Sequence, residues 1–275
     1  MLGYIAALPL LYVFVYLPIS NSYFGTSPRP QGQHVAILNS SLIADDVPLS
    51  CPHHSYNTHI LSQEPLIVYI ENFLSSDESK HLIEISQDKF APSTVSTGAE
   101  TSIQKDIRHS EVALIDRDDV VRCIEHRARD FQGWRPDIHI ERLRTQRYGE
   151  GGHYVHHYDW SGASREADRV STFMVYVDAQ CEGGGTEFPR LPMPDTRKGR
   201  WCDFLECEEE NDDAEEAKKT KMGITFKPIK GNAVYWENMR PDGRGYEETW
   251  HAGLPVKLGS KIGLNIWSWG PSRRR

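Results

Sequence analysis

Tyr148-Gly149-Glu150-Gly151-Gly152-His153-Tyr154-Val155-His156-His157-Tyr158-Asp159-Trp160 is the stretch on which the reading of this chain turns. On an extended strand, residues two apart project from one face, so His157 and Asp159 reach a single ion together while His156 points to the opposite face. His153 shares the parity of His157, but the Gly151-Gly152 pair before it bends the chain. An isolated H-x-D pair says little, and it gains force from a third donor far downstream, His251 in Trp250-His251-Ala252-Gly253-Leu254-Pro255-Val256. Two histidines and a carboxylate occupy one face of an octahedral ion. Three positions stay open, which suits a non-haem iron(II) that must bind a co-substrate and O2.

Lys261 follows ten residues after His251. Lys261, Gly263, Asn265, Trp267 and Trp269 share one face of a strand, which turns the lysine inward. An inward lysine is costly unless paired, and near a metal it can hold the remote carboxylate of a dicarboxylate co-substrate. The plainer alternative is a surface lysine on an edge strand.

Outward from this centre, the pattern after Arg144 is β throughout, with short runs rich in Val, Tyr, Phe and Trp punctuated by Gly and Pro. Before it, Leu66, Val68 and Ile70 alternate like a strand. Ser75 and Glu78 make a capping box for a helix through Leu82 and Ile85. A second helix is predicted from Asp118, with Val121, Ile124, Ala128 and Phe131 on one face. Two helices followed by many strands give an α+β fold, with helices buttressing a β-sandwich or jelly roll. Residues 64–275 form the expected catalytic domain. Residues 21–63, rich in Ser, Pro, Gly and His without period, read as a linker; no geometry is fixed there for His53, His54 or His59. An acidic insert at about 197–224 reads as a solvated loop.

The formal net charge is −8, and eight carboxylates lie between Glu206 and Glu216, so the remainder of the chain is neutral. No basic stripe of the kind that binds nucleic acid is present. Of the five cysteines, none forms a C-x-x-C pair, which argues against a cysteine zinc site. Cys202 and Cys207 stand close enough for a disulfide across a short loop, an assignment that spacing leaves open. Residues 1–20 are apolar and uncharged and read as a signal peptide or a signal anchor. With the sequon Asn39-Ser40-Ser41, they place the protein at the endoplasmic reticulum membrane or lumen.

From about residue 65 to 269 the chain resembles the prolyl 4-hydroxylase branch of the 2-oxoglutarate/Fe(II) dioxygenases. The resemblance is carried by Phe73-Leu74-Ser75 and by Tyr148, Gly151, Tyr154, His157 and Asp159 in their spacing. Further matches are Arg169 through Tyr176, Glu182-Gly183-Gly184-Gly185-Thr186-Glu187-Phe188-Pro189, Gly231-Asn232-Ala233-Val234, and His251-Ala252-Gly253 with Gly259-Ser260-Lys261. It implies a double-stranded β-helix with the metal at one end of the barrel, held by His157, Asp159 and His251. Lys261 is implied to bind the distal carboxylate of 2-oxoglutarate, assisted by Tyr148 and by Tyr176 or Thr172. Trp267 becomes a pocket wall and Arg169 a substrate-handling residue, whereas Gly183 and Gly184 serve a turn.

The implied cofactors are Fe(2+), 2-oxoglutarate, O2 and L-ascorbate. The implied reaction couples decarboxylation of 2-oxoglutarate to succinate with hydroxylation of prolyl residues in a protein or peptide. Trp269 stands where prolyl hydroxylases often carry a histidine, and no separate peptide-binding domain precedes the catalytic one. A same-fold dioxygenase for a small molecule and a silent binding module are the competing readings.

Overall fold

A computed structural model describes residues 49–96, 101–162, 164, 166–195, 200–207 and 222–273. The expected N-terminal signal or anchor (residues 1–20), the first part of the linker and the sequon at Asn39 lie outside the described residues, as does most of the acidic run.

Strands β1 (Asn57–Gln63) and β2 (Leu66–Glu71) pair and lead into helix α1 (Ser76–Ser86). The short strands β3 (Ala91–Pro92), β4 (Val95–Ser96), β5 (Thr101–Ser102), β6 (Arg108–His109) and β7 (Glu111–Leu114) precede helix α2 (Asp119–Phe131). There follow β8 (His139–Ile140), β9 (Arg144–Tyr148), β10 (His153–His157), β11 (Ala167–Gly183) and β12 (Thr186–Pro192). The chain closes with α3 (Trp201–Phe204), β13 (Met222–Phe226), β14 (Ala233–Glu237), β15 (His251–Gly253) and β16 (Val256–Pro271).

The larger sheet runs β1-β2-β14-β11-β16-β9-β7-β3, with β8 beside β16, and the smaller runs β13-β12-β15-β10-β6. Neighbouring strands in both are antiparallel. Together they form the two-sheet jelly roll, or double-stranded β-helix, buttressed by helices.

Period-two alternation places the layers. On β11 and β16, Phe173, Val175, Val177, Ile262, Leu264 and Ile266 face outward, where Leu82 of α1 and Val121, Ile124 and Ala128 of α2 cover them. The alternate residues Met174 and Tyr176 face inward and meet Phe188, Ile224 and Phe226 of the smaller sheet. Burying an aliphatic or aromatic side chain of this size contributes about 1.5–3 kcal/mol, so both faces of the larger sheet carry core.

Both helices begin where side chains satisfy the free backbone N–H groups. The Glu78 N–H donates to Ser75 Oγ at 3.1 Å and the Ser75 N–H to Glu78 Oε2 at 2.8 Å, while Asp118 Oδ1 accepts from the Val121 N–H at 2.9 Å.

Two boundaries differ from the sequence reading. Ordered structure begins before residue 64: residues 57–63, expected as linker, form β1, and Cys51 ahead of them is disulfide-bonded to Cys123 on α2. As an edge strand, β1 leaves Ile60 59% exposed, so it lacks the clean alternation that marks a half-buried strand. The insert expected at 197–224 is not wholly a solvated loop either. Phe204 and Leu205 are buried in the inter-sheet core, Leu205 bridges Phe226, and Met222 already belongs to β13. The short apolar run Trp201 to Leu205 was masked by the charge that follows it. Cys202 and Cys207 do form a disulfide.

Candidate metal centre

His157 lies at the end of β10, Asp159 two residues beyond, and His251 opens β15, directly opposite His157 in the ladder. One ligand atom from each lies within 4.8 Å of the others. Asp159 spans the pair, with Oδ1 3.8 Å from His157 Nε2 and Oδ2 3.8 Å from His251 Nε2. Each imidazole is fixed through its other nitrogen: Nδ1 of His157 lies 2.8 Å from the Val155 carbonyl and Nδ1 of His251 lies 2.8 Å from the Thr249 carbonyl. Donation from Nδ1 leaves Nε2 of each ring on the side of Asp159, the nitrogen through which each would bind a metal.

Burial, and then the neighbouring His251, push the His157 imidazole well below its ordinary pKa, so it is neutral. Burial alone would raise Asp159, but His251, His157, Arg169 and the Thr172 hydroxyl outweigh it and hold the carboxyl ionised. Two imidazoles and one ionised carboxylate fit a divalent iron. His156 turns away and lies 2.7 Å from Glu187.

The residues around the triad hold it in place. Thr172 Oγ1 donates to Asp159 Oδ2 at 2.8 Å, and Asn238 Nδ2 donates to Thr172 Oγ1 at 2.9 Å. Thr172, expected to assist the co-substrate, therefore points its hydroxyl at Asp159. Tyr154 stacks on His157 with centroids 3.8 Å apart, and Trp236 packs edge-on against His251 at 4.8 Å. A register shift between Tyr154 and His157 places both on one side, which strict alternation would not.

Lys261 is 1% exposed, inward as its strand parity requires. Its ammonium donates to the Gly184 carbonyl and lies 4.9 Å from the centroid of the Tyr148 ring, its cross-strand neighbour. No carboxylate pairs with it among the described residues, and burial lowers its pKa to about 8. A buried cation without a counter-ion is expensive, and an incoming carboxylate relieves that cost. Tyr176, fully buried, donates its hydroxyl to Thr186 Oγ1 at 2.8 Å. Gly183 and Gly184 both have positive φ, as the turn reading required, and the turn aims the Gly184 carbonyl at Lys261.

The mouth of the site is more cationic than its aromatic residues suggest. Arg169 donates twice to Glu141, at 2.7 and 3.0 Å, and its guanidinium lies 3.8 Å from the Trp267 ring centroid. Arg144 lies 5.4 Å from the same ring, and Arg108 lies 4.8 Å from the Tyr154 ring. Sequence reasoning missed Arg108, Glu141, Arg144, Gln146 and Asn238. Strand parity with Tyr148 is a signal that finds Gln146 and Arg144; the other three come from distant segments. Gln146 is 1% exposed, donates to the Arg144 carbonyl at 3.1 Å and keeps an unpartnered amide oxygen.

A jelly roll with a two-histidine, one-carboxylate cluster at one end and a buried unpaired lysine deeper inside is the architecture of a 2-oxoglutarate-dependent iron oxygenase. The model of the 2OG-Fe(II) oxygenase superfamily matches residues 143–269. A probable prolyl 4-hydroxylase 3 of Arabidopsis thaliana is 31% identical over 218 residues, spanning 76% of this chain and 71% of that protein. Prolyl 4-hydroxylase subunit alpha-3 of Homo sapiens is 26% identical over 219 residues, covering 76% of this chain and 34% of the subunit. The crystal structure of a viral collagen prolyl hydroxylase from Paramecium bursaria Chlorella virus-1, in its 2-oxoglutarate complex, superposes with a TM-score of 0.51 at 26% identity. That match covers 74% of this chain and 96% of the viral one. The chain belongs to the prolyl 4-hydroxylase branch of the 2OG-Fe(II) oxygenases. It is a dioxygenase that uses Fe(II), 2-oxoglutarate and O2.

Proposed function

We propose that this enzyme hydroxylates prolyl residues in proteins or peptides, with His157, Asp159 and His251 as iron ligands and Lys261 as the anchor of 2-oxoglutarate. The observation that carries the site assignment is Lys261, a fully buried ammonium on the same barrel face as the mouth that has no carboxylate partner among the described residues. The prolyl assignment rests on the named relatives and on Trp267, an indole wall suited to a pyrrolidine ring.

The two imidazoles and Asp159 leave part of an octahedral ion's coordination free, and bound iron supplies O2 activation coupled to oxidation of 2-oxoglutarate. The protein's own part is positioning. Asn238 holds Thr172, Thr172 holds Asp159, and the Val155 and Thr249 carbonyls hold the imidazoles. Lys261 would hold one carboxylate of 2-oxoglutarate, with the Tyr148 ring beside it. Tyr154, Trp236 and Trp267 exclude water around the centre.

Two disulfides support an oxidising compartment, and we place the protein in the secretory pathway, at the endoplasmic reticulum. Among the described residues no helix is long and apolar enough to cross a membrane. Carbonate extraction of the full chain distinguishes a retained N-terminal anchor from a cleaved signal. L-ascorbate belongs to this reading as the reductant that restores iron after uncoupled turnover.

The test is turnover of blocked Pro-rich peptides, following succinate and product mass together. Hydroxyproline formed in step with succinate supports the reading. Uncoupled succinate with every peptide, together with hydroxylation of a small metabolite, replaces it with the small-molecule alternative.

A further inference from the structure

The inward face of β9 carries Tyr148, Gln146 and Arg144, opposite Lys261, Gly263 and Asn265 of β16. The row runs from the buried lysine to the mouth, where Arg144 shares Trp267 with Arg169. The two arginines differ in one respect. Arg169 is neutralised, because both Glu141 oxygens accept from it. Arg144 has no carboxylate within ion-pair distance among the described residues, and its Nε is buried without an acceptor. Arg108, near the same opening on the Tyr154 ring, donates Nε to Ser110 Oγ at 3.1 Å and also lacks a carboxylate partner among the described residues. Among the described residues, Arg144 and Arg108 are therefore the two arginines at the entrance without an ion-pair partner. Asp159 acts on Arg169 rather than on Arg144, and it makes no ion pair with Arg144 or Arg108.

A half-buried guanidinium with an orphaned N–H is stabilised by whatever brings an acceptor, and an anionic acceptor does so most strongly. We propose that the mouth selects peptides with an acidic side chain beside the target proline, and that Arg144, assisted by Arg108, is the residue that reads it. The inference rests on the prolyl reading above and adds a substrate class to it. Burial lowers the Arg144 pKa, Glu141 raises it, and Arg169 and Arg108 lower it further, so Glu141 is already shared among more cations than it can neutralise. The planar fork of Arg144 suits a carboxylate bound through two parallel N–H bonds.

The test uses the full protein with N-acetylated, C-amidated Pro-rich peptides that differ at one residue flanking the proline, Glu, Gln or Lys. Blocked ends remove the free terminal carboxylate as an alternative anion. The expected result is a kcat/KM about tenfold higher for the Glu peptide than for the Gln peptide, carried mainly in KM. The Lys peptide should be poorer still, and the spread should shrink as salt rises from about 20 to about 300 mM. Arg144→Gln should bring the Glu-to-Gln ratio near one, and Arg144→Glu should shift the preference to the Lys peptide, an inversion that damage to the fold does not produce. Hydroxyproline formed at equal kcat/KM from Glu and Gln peptides by the native enzyme overturns this inference alone, whether or not the variants fold. Hydroxyproline from no peptide overturns the prolyl reading and this inference with it.

Discussion

At the scale of single residues, the site divides into side chains that would touch the reactants and side chains that hold them. His157→Ala, Asp159→Ala and His251→Ala should each abolish 2-oxoglutarate turnover, whereas His156→Ala, whose ring pairs with Glu187 on the other face, should keep most of it. Near-native succinate formation by His251→Ala would remove the ligand assignment. Thr172→Val tests the layer behind the ligands. Loss of the bond to Asp159 should weaken Fe(II) binding about 10–100-fold in an anaerobic titration, and unchanged affinity would reduce Thr172 to packing. For Lys261 the sign follows from burial. Its folded pKa of about 8 lies below the 10.5 of a free lysine, so without ligand the charged form is disfavoured and the protein gains stability as pH rises between those values. A bound carboxylate favours the protonated form, so the KM for 2-oxoglutarate should be flat below about pH 8 and climb up to tenfold per pH unit above it. Lys261→Arg, which stays charged, should flatten the climb. A flat native profile would separate Lys261 from the co-substrate.

At the scale of elements, α3 and the residue after it belong to the core rather than to the acidic run. Leu205 is 0% exposed and bridges Phe226, so Leu205→Ala should cost about 2–5 kcal/mol in urea unfolding. A loss below about 1 kcal/mol would show that this corner collapses around the gap. Removing Glu206 to Lys221 as a block also takes the Glu206 N–H from the Thr225 carbonyl, a 2.9 Å bond, and Cys207 from Cys202. A deletion begun after Cys207 spares both features. The helices were legible beforehand because a capping box and an apolar stripe are local signals: Ser75 with Glu78, and Val121, Ile124 and Ala128, stand where their spacing put them. Strand β1 was not, because one face of an edge strand meets solvent and its residues need no alternation.

At the scale of the whole molecule, Cys51–Cys123 ties the segment ahead of β1 to the helix that covers the larger sheet, closing a separation of 72 residues. Constraining an unfolded chain over that length stabilises by about 4 kcal/mol, so Cys51→Ser with Cys123→Ser should lower Tm clearly relative to the oxidised protein. A double variant as stable as the native chain would show that packing against β2 alone holds this end. The same architecture explains how the reactants are divided. The larger sheet presents Lys261, Arg144 and Trp267 on one wall, and the smaller presents His157 and His251 on the other. Under the proposed assignment the co-substrate and the iron would be held by different sheets.

The sequence by itself determined what depends on neighbours along the chain: the shared face of His157 and Asp159, the inward turn of Lys261, the caps of α1 and α2, and the strand-rich second half. Each follows from local spacing along the chain, which needs no knowledge of what packs opposite. Only the tertiary structure decided which distant residues meet. The register shift between Arg169 and Ser171 sets the facing of Arg169 relative to Thr172. Glu141 reaches Arg169 across 28 positions, and Asn238 reaches Thr172 across 66. A period assigns each side chain to a face, but bulges and sheet order decide which faces are brought together, and from that come the charge at the mouth and the pairing of the metal carboxylate.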